Sequence, residues 1–252
     1  MARAVGVVRL GRRVFGPERL LVMAVVSPGD PAAAMERVHE AAAEGADIVE
    51  VPVLAGVAVD SREEIRRAVR FIAMVRDAHP ELLVGVSTGR PEVAREACAA
   101  GADLLCGSGF RLAEVAASPG VGVVCPAGLA ARAVEAGVEP ERIIVSPEST
   151  RQLPDLVAAG WPVLIPVSGQ DLAGSLAGSL AGSLAGSLAG SLAGSLAGSL
   201  ATAAIGAWLG ARVFRVDQVL RTRRMLSMVS AIRGDIPPGY AVRGLALGVV
   251  DQ

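Results

Sequence analysis

The sequence predicts a (β/α)₈ barrel formed by one domain, residues 1–252, with a short N-terminal hairpin. Eight short, nearly uniformly apolar runs recur, as expected of strands buried on both faces. An Ala-rich segment of helical periodicity follows each run, and several of these segments end in a glycine directly before the next run. Such a glycine is typical of a helix end. Eight β-then-α units in about 250 residues fit a barrel. A doubly wound sheet is the alternative, but no Gly-rich fingerprint follows the first run.

The predicted elements alternate along the whole chain. The hairpin comprises residues 5–10 and 12–15. The predicted barrel strands are residues 20–27, 46–53, 82–87, 102–106, 122–125, 142–146, 162–167 and 212–216. The predicted helices are residues 31–44, 61–79, 91–100, 112–117, 129–136, 151–159, 172–209 and 218–233. The seventh helix is abnormally long for a barrel of this size.

A tandem repeat accounts for that length: Leu-Ala-Gly-Ser occurs seven times in residues 172–199. Four helical residues turn through about 400°, so the leucines drift about 40° around the helix with each repeat. We expect an extended helix that packs its small residues against a second copy. A Gly-rich coil is one alternative. A membrane helix over residues 172–211 is the other, although only a quarter of the repeat is strongly apolar.

Composition excludes several classes of function. The net charge of −1 provides no excess of positive charge that would bind nucleic acid or an anionic membrane. The absence of lysine excludes Schiff-base chemistry and a Walker-type phosphate site. With only two histidines, a histidine-based metal site is close to excluded. We therefore expect no metal and no cofactor. Three cysteines without paired spacing indicate a reduced, cytoplasmic protein.

Candidate functional residues follow the predicted strands, because barrel chemistry lies at the carboxyl ends of the strands. Glu50 lies inside an apolar strand and is either an acid or base or the partner of an arginine such as Arg215. Arg215 is either an anion ligand or part of that internal pair. The hydroxyls of Ser87, Thr88 and Ser168 are candidate phosphate ligands, with turn formation as the alternative.

The remaining reactive residues are given structural roles. We expect Cys106 and Cys125 side by side in the core on neighbouring strands. His39 and His79 are expected at the surface or at helix caps, away from the strand ends. The basic run at residues 221–224 is interpreted as a solvated helix face, with an anion or subunit contact as the alternative.

Residues 21–26, 45–51, 86–104, 160–164 and 196–216 together resemble the dihydropteroate synthase family, and the last two stretches are the most specific matches. The resemblance covers most of the chain. It implies a (β/α)₈ barrel, homodimerisation, and a transferase that joins dihydropterin pyrophosphate to p-aminobenzoate in folate biosynthesis. It also implies Mg²⁺ assistance to the leaving pyrophosphate, if the chain is active.

The active-site positions of that family are largely replaced. The replaced positions are Ser27, Ser87, Cys106, Ser146, Gln170 and Asp217. Arg215, Ser168 and Thr88 match the family pattern, and Glu50 stands where the family has Asp. A pterin presents adjacent donors that a carboxylate accepts in pairs, whereas serine offers one weaker neutral partner.

Three functions remain open from the sequence. The first is a catalytically degenerate binder or partner subunit that takes a pterin-like or phosphorylated ligand through Arg215. The second is an active dihydropteroate synthase, and the third is an assembly module driven by the repeat. In each case we expect a homodimer and neither nucleic-acid nor membrane binding.

Overall fold

The computed structural model describes residues 6–26, 30–52, 60–107, 109–118, 120–167 and 196–236. Eight parallel strands pair in the order β8-β7-β6-β5-β4-β3-β10-β9. A parallel bridge between Val145 and Val163 joins the two outer strands of that order. The sheet therefore closes on itself, and the predicted (β/α)₈ barrel is confirmed.

Strands lie close to their predicted positions. The N-terminal hairpin pairs β1 (Val8–Leu10) with β2 (Arg13–Phe15), as predicted. The barrel strands are β3 (Leu21–Val25), β4 (Ile48–Pro52), β5 (Leu83–Ser87), β6 (Leu104–Cys106), β7 (Gly122–Pro126), β8 (Ile143–Ser146), β9 (Leu164–Pro166) and β10 (Val213–Val216).

Helices cover the outside of the barrel. They are α1 (Pro31–Ala43), α2 (Ser61–Ala78), α3 (Pro91–Ala99), α4 (Phe110–Ala116), α5 (Ala130–Glu135), α6 (Leu153–Ala158), α7 (Leu196–Trp208) and α8 (Val219–Arg233). The predicted long helix at 172–209 is thus described from Leu196 onward, and residues 172–195 lie outside the described residues. Among the helices of the described ranges, none is both long and apolar enough to cross a bilayer.

Alternation along the strands divides the apolar core into two layers. Alternate strand residues such as Leu21 and Met23 fill the inside of the barrel, together with Leu10 and Phe15 of the hairpin. The residues between them, such as Val22, pack outward against the helices. Position parity on each strand therefore decides which side chains reach the inside of the barrel.

The hairpin covers the amino-terminal end of the barrel. The Gly11 N–H donates to the Gly120 carbonyl, which precedes β7. The buried Arg212 guanidinium, which precedes β10, donates to the carbonyls of Gly6, Gly16 and Arg19. Burial lowers the pKa of Arg212 to about 10. These carbonyls supply the acceptors that a buried guanidinium needs, so Arg212 ties the hairpin to the barrel.

A partly buried carboxylate beside an arginine joins neighbouring units at the same end. Asp103, at the start of β6, accepts from the Val84 N–H at 2.8 Å and pairs with Arg76 of α2. Arg76 also donates to the carbonyls of Gly101 and Leu82. One arginine thus holds the loop before β6 and the loop before β5 together.

The same arrangement recurs at the start of β4. Asp47 accepts from the Val22 N–H at 2.9 Å and pairs with Arg223 of α8. Arg223 also donates to the carbonyls of Gly45 and Leu20. The interpretation of residues 221–224 as a solvated face is therefore wrong for Arg223, and Thr222 is buried as well. A run of basic residues in the sequence does not show that one of them, here Arg223, pairs with a buried carboxylate.

We expect Asp47→Ala to lower the free energy of unfolding by about 3 kcal/mol, because it leaves a partly buried guanidinium and a buried N–H unpaired. Asp103→Ala is expected to cost less, about 2 kcal/mol, because its side chain is 14% exposed against 4% for Asp47. The exposed Glu114→Ala is the control, and urea unfolding measures all three. Equal losses in the three variants would contradict this account.

Candidate functional site

Strand parity and register bring three reactive side chains to the carboxyl end of the barrel. Glu50, Cys106 and Arg215 each lie two residues beyond an inward-facing core residue of the same strand. Strand β3 lies between β4 and β10, with Val25 opposite Glu50 and Met23 opposite Arg215. Two residues 165 positions apart in sequence therefore face each other across one strand. We call this layer the mouth of the barrel.

Glu50 and Arg215 form an ion pair in the mouth. Arg215 Nε donates to Glu50 Oε2. The Glu50 side chain is 2% exposed, whereas that of Arg215 is 38% exposed. Burial is the largest single influence and lowers the pKa of Arg215, but Glu50, Cys106 and Asp217 together outweigh it, so the pKa is raised. Arg215 is thus permanently charged, and a buried carboxylate already compensates that charge.

Cys106 completes this cluster as a neutral hydrogen-bond donor. The pKa of its thiol is raised well above its ordinary value by burial, and further by the Glu50 carboxylate, to which the thiol is hydrogen-bonded. A thiol with so little thiolate is a poor nucleophile. Cys106 therefore satisfies Glu50 rather than providing reactivity.

Cys125 does not join Cys106, although β6 and β7 are neighbours. Val124, not Cys125, pairs with Cys106 in the register, and Cys125 packs outward against the helices. Burial raises the pKa of the Cys125 thiol to about 11. The expectation of two cysteines side by side is therefore wrong, because consecutive residues of a strand face opposite sides of the sheet.

Thr88 lies just beyond β5, and its hydroxyl has two partners. It donates to Glu64 Oε1 at 3.2 Å and accepts from the Arg90 N–H at 3.1 Å. Arg90 Nη1 also pairs with Glu64 at 2.9 Å. Glu64 is buried on α2 and holds the loop between β5 and α3 in place. Sequence reasoning missed Glu64, although its spacing with the buried Ala68 and Ile72 places it on the inward face of α2.

Ser87 and Ser146 end β5 and β8 at the mouth and are half-buried. Each lies two residues beyond Gly85 or Ile144 on its strand, so its side chain faces the inside of the barrel as theirs do. The predicted roles of Ser87 and Thr88 as anion ligands stay predictions. Ser27, Ser168 and Gln170 lie outside the described residues.

A cavity of about 340 Å³ lies beside the carboxyl end of β10, between the first turns of α7 and α8. Its polar lining includes Asp217 and Arg221, which follow β10. Its apolar lining includes Val167, Leu200 and Val216. The exposed Asp217 thus lies at a hollow of ligand size, and the sequence did not predict Arg221 or Leu200 as lining residues.

Within the described ranges, no group of three His, Cys, Asp or Glu side chains is placed to hold a metal ion. The mouth is a small-residue opening with one compensated ion pair and a neutral thiol. These features define a class: a (β/α)₈ barrel with a ligand-sized opening at the end where barrel enzymes place their chemistry.

Comparisons with known proteins give the family. Residues 25–129 match the model of the pterin binding enzyme family. The chain is 36% identical to inactive dihydropteroate synthase 2 of Mycobacterium tuberculosis, over 94% of this chain and 90% of that protein. It is 34% identical to the protein of the same name from Mycobacterium leprae, over 93% of this chain and 98% of that protein. This chain belongs to the dihydropteroate synthase family, as its sequence resemblance indicated.

A more distant solved structure matches the fold alone. The dihydropteroate synthase of Yersinia pestis, solved with a pterine-sulfa conjugate, superposes with a TM-score of 0.74 at 20% identity. The match covers 90% of this chain and 99% of that one.

We expect Arg215→Met to lower the free energy of unfolding by about 3–5 kcal/mol at pH 7, because it leaves the buried Glu50 carboxylate without a cation. The double variant Glu50→Met/Arg215→Met is expected to recover most of this loss, because two apolar side chains of similar volume replace the pair. The surface variant Arg66→Met is the control, with a loss below about 1 kcal/mol. Urea unfolding measures each. A double variant as unstable as Arg215→Met would contradict an unpaired carboxylate as the cause.

Proposed function

We propose that this protein is a catalytically degenerate member of the dihydropteroate synthase family, a non-catalytic binder or partner subunit. The observation that carries the proposal is the ion pair between Glu50 and Arg215. The family reaction begins with an anionic pyrophosphate ester, and Arg215 occupies the position of the family's anion-binding arginine. In this chain Glu50 already holds that guanidinium, so an incoming anion must compete with a buried carboxylate.

The charge of the mouth supports this proposal. In the described mouth the charges of Glu50 and Arg215 cancel, and in the cavity beside β10 the lining residues Asp217 and Arg221 carry opposite charges. The sequence offers no replacement from the segments that follow β3, β4 and β9, because residues 27–29, 53–59 and 168–195 contain no arginine, lysine or histidine. A pyrophosphate group would therefore meet no uncompensated positive charge among these groups.

The polar groups facing the mouth also fit poorly to a pterin. Ser87, Cys106 and Ser146 stand at family positions that carry carboxylate or amide groups. Each charge-assisted hydrogen bond to a carboxylate contributes about 1.5–3 kcal/mol, roughly twice a neutral one. Losing several of them weakens recognition by orders of magnitude. The mycobacterial relatives, named as inactive synthases, argue in the same direction.

Mg²⁺, which the family implies, fits the described mouth poorly. Mg²⁺ takes oxygen ligands in octahedral geometry. The carboxylate nearest the centre, Glu50, is engaged by Arg215 and hydrogen-bonded to Cys106. The described cysteines are free thiols, which suits the cytoplasmic location that the sequence predicts.

We expect no turnover of dihydropterin pyrophosphate and p-aminobenzoate with Mg²⁺ above a no-protein control. We also expect Glu50→Gln to raise the affinity for inorganic pyrophosphate about tenfold, since removing one compensating charge is worth about 1.4 kcal/mol. Calorimetric titration measures this affinity, and Arg215→Met is the matched control that abolishes the gain. Turnover by the natural chain would reject the proposal and favour the active-enzyme alternative.

We further propose that the protein is a homodimer that associates through α7 and α8. These adjacent helices carry most of the large apolar side chains that are exposed in the described residues, among them Ile205, Trp208, Met228 and Ile232. Trp208 is 61% exposed and Ile232 is 67% exposed. Contiguous exposed apolar surface of this kind marks interaction sites, and isologous dimers are the commonest closed assembly. The assembly role of the repeat stays a separate prediction, because residues 172–195 lie outside the described ranges.

We expect Ile232→Glu to convert the dimer to a monomer, because it places a charge in the apolar face between the two copies. Light scattering after size exclusion measures the mass. Val14→Glu is the matched control, because Val14 is similarly exposed but lies in the hairpin and not on α7 or α8. A dimer that survives Ile232→Glu would place the interface elsewhere.

A further inference from the structure

The two histidines of the chain contact each other at the surface. His39 lies on α1, and His79 caps the end of α2, 40 residues later. Their nearest ring nitrogens, Nδ1 of His39 and Nε2 of His79, are 2.7 Å apart. The ring centroids are 4.8 Å apart. A side chain touches only about ten others in a folded protein. The chain has only two histidines among its 252 residues, so a contact between them is seldom expected by chance.

Nothing in the barrel mouth requires this pair. It lies outside the mouth and contributes to neither of the buried carboxylate–arginine arrangements at the amino-terminal end. Two imidazoles that share one hydrogen bond at an exposed position add little stability, because water competes for the same donors and acceptors. The pair is therefore better explained by something that both rings bind together.

We propose that His39 and His79 form a surface site for a divalent transition-metal cation such as zinc. Zinc binds imidazole nitrogens at about 2.0–2.1 Å, which separates two ligand nitrogens on one ion by about 3–3.4 Å. The observed nitrogens need to move apart by only a few tenths of an ångström. Each ring must also turn so that its lone pair points at a shared point, and the exposed position of the pair leaves room for that rotation.

The two ligands come from elements that are themselves well held. The His79 N–H donates to the Val75 carbonyl, and the His79 carbonyl accepts from the Leu82 N–H. His39 lies in the third turn of α1, whose inner face is buried through Met35 and Val38. The backbones of both ligands are thus preorganised before the cation arrives.

Water would complete the coordination. In the described part of the chain, no third His, Cys, Asp or Glu stands with this pair as a metal group. Glu36 lies one turn before His39 on the same face of α1, where rotation of its side chain brings its carboxylate toward the ion. The bound cation would join α1 to the loop between α2 and β5.

The composition of this chain makes the site unusually easy to test. No other histidine competes for the ion. Burial raises the pKa of Cys98 and Cys125 to about 11 and that of Cys106 further, so these thiols bind metal poorly at neutral pH. Metal bound by the tag-free protein can therefore be assigned to the pair by NMR of only two imidazole rings.

We expect tag-free protein at pH 7.5 to bind one equivalent of zinc in a calorimetric titration, and the imidazole signals of both histidines to shift together. His39→Gln and His79→Gln are each expected to weaken binding at least tenfold. Glu114→Gln, which removes an exposed carboxylate from α4, is the control and is expected to leave the affinity unchanged. Circular dichroism checks that each variant is folded.

Three results would overturn the proposal. These are zinc binding of natural strength in the double variant His39→Gln/His79→Gln, a shift of only one imidazole, or no binding by the natural chain. None of these results bears on the Glu50–Arg215 pair, so the metal site and the proposed loss of catalysis succeed or fail separately.

Discussion

The mouth of this barrel depends on the ion pair between Glu50 and Arg215. A carboxylate that is 2% exposed is tolerated only because a guanidinium and a thiol satisfy it. The same contact neutralises the cation that an anionic ligand would use. One interaction therefore both stabilises the folded barrel and compensates the charge of Arg215, so the loss of catalysis that we propose is compatible with retention of the fold.

The two ends of the barrel have different chemistry. At the amino-terminal end, Arg76, Arg212 and Arg223 each bind several backbone carbonyls, and Arg76 and Arg223 also bind aspartates that are buried or partly buried. At the carboxyl end, the inward positions that the structure describes carry serine, cysteine and proline beside the Glu50–Arg215 pair. Arginine suits the first role because its planar group donates in several directions at once. The arginines that stabilise the barrel thus lie at the opposite end from the one where barrel enzymes react.

Much of this was predictable from local sequence. Uniform apolar runs predict the eight strands, and the pairing of Glu50 with an arginine such as Arg215 follows from a charge inside such a run. The burial of Arg223 and the inward position of Glu64 were not found, because a charged residue on a helix looks the same in sequence whether its partner is water or a buried group. Cys125 was misplaced because neighbouring strands do not imply neighbouring side chains.

The sequence by itself determined the order of strands and helices, the family, and the scarcity of catalytic side chains at the carboxyl ends of the strands. Periodicity and residue identity are local properties, so no tertiary contact is needed to find them. Only the tertiary structure decided which residues meet. Closure of the sheet places β4 and β10 on either side of β3, so Glu50 meets Arg215 across 165 residues. The packing of α1 beside the end of α2 likewise brings the two histidines together. Contacts between distant residues depend on strand register and helix packing, which no short window of sequence contains.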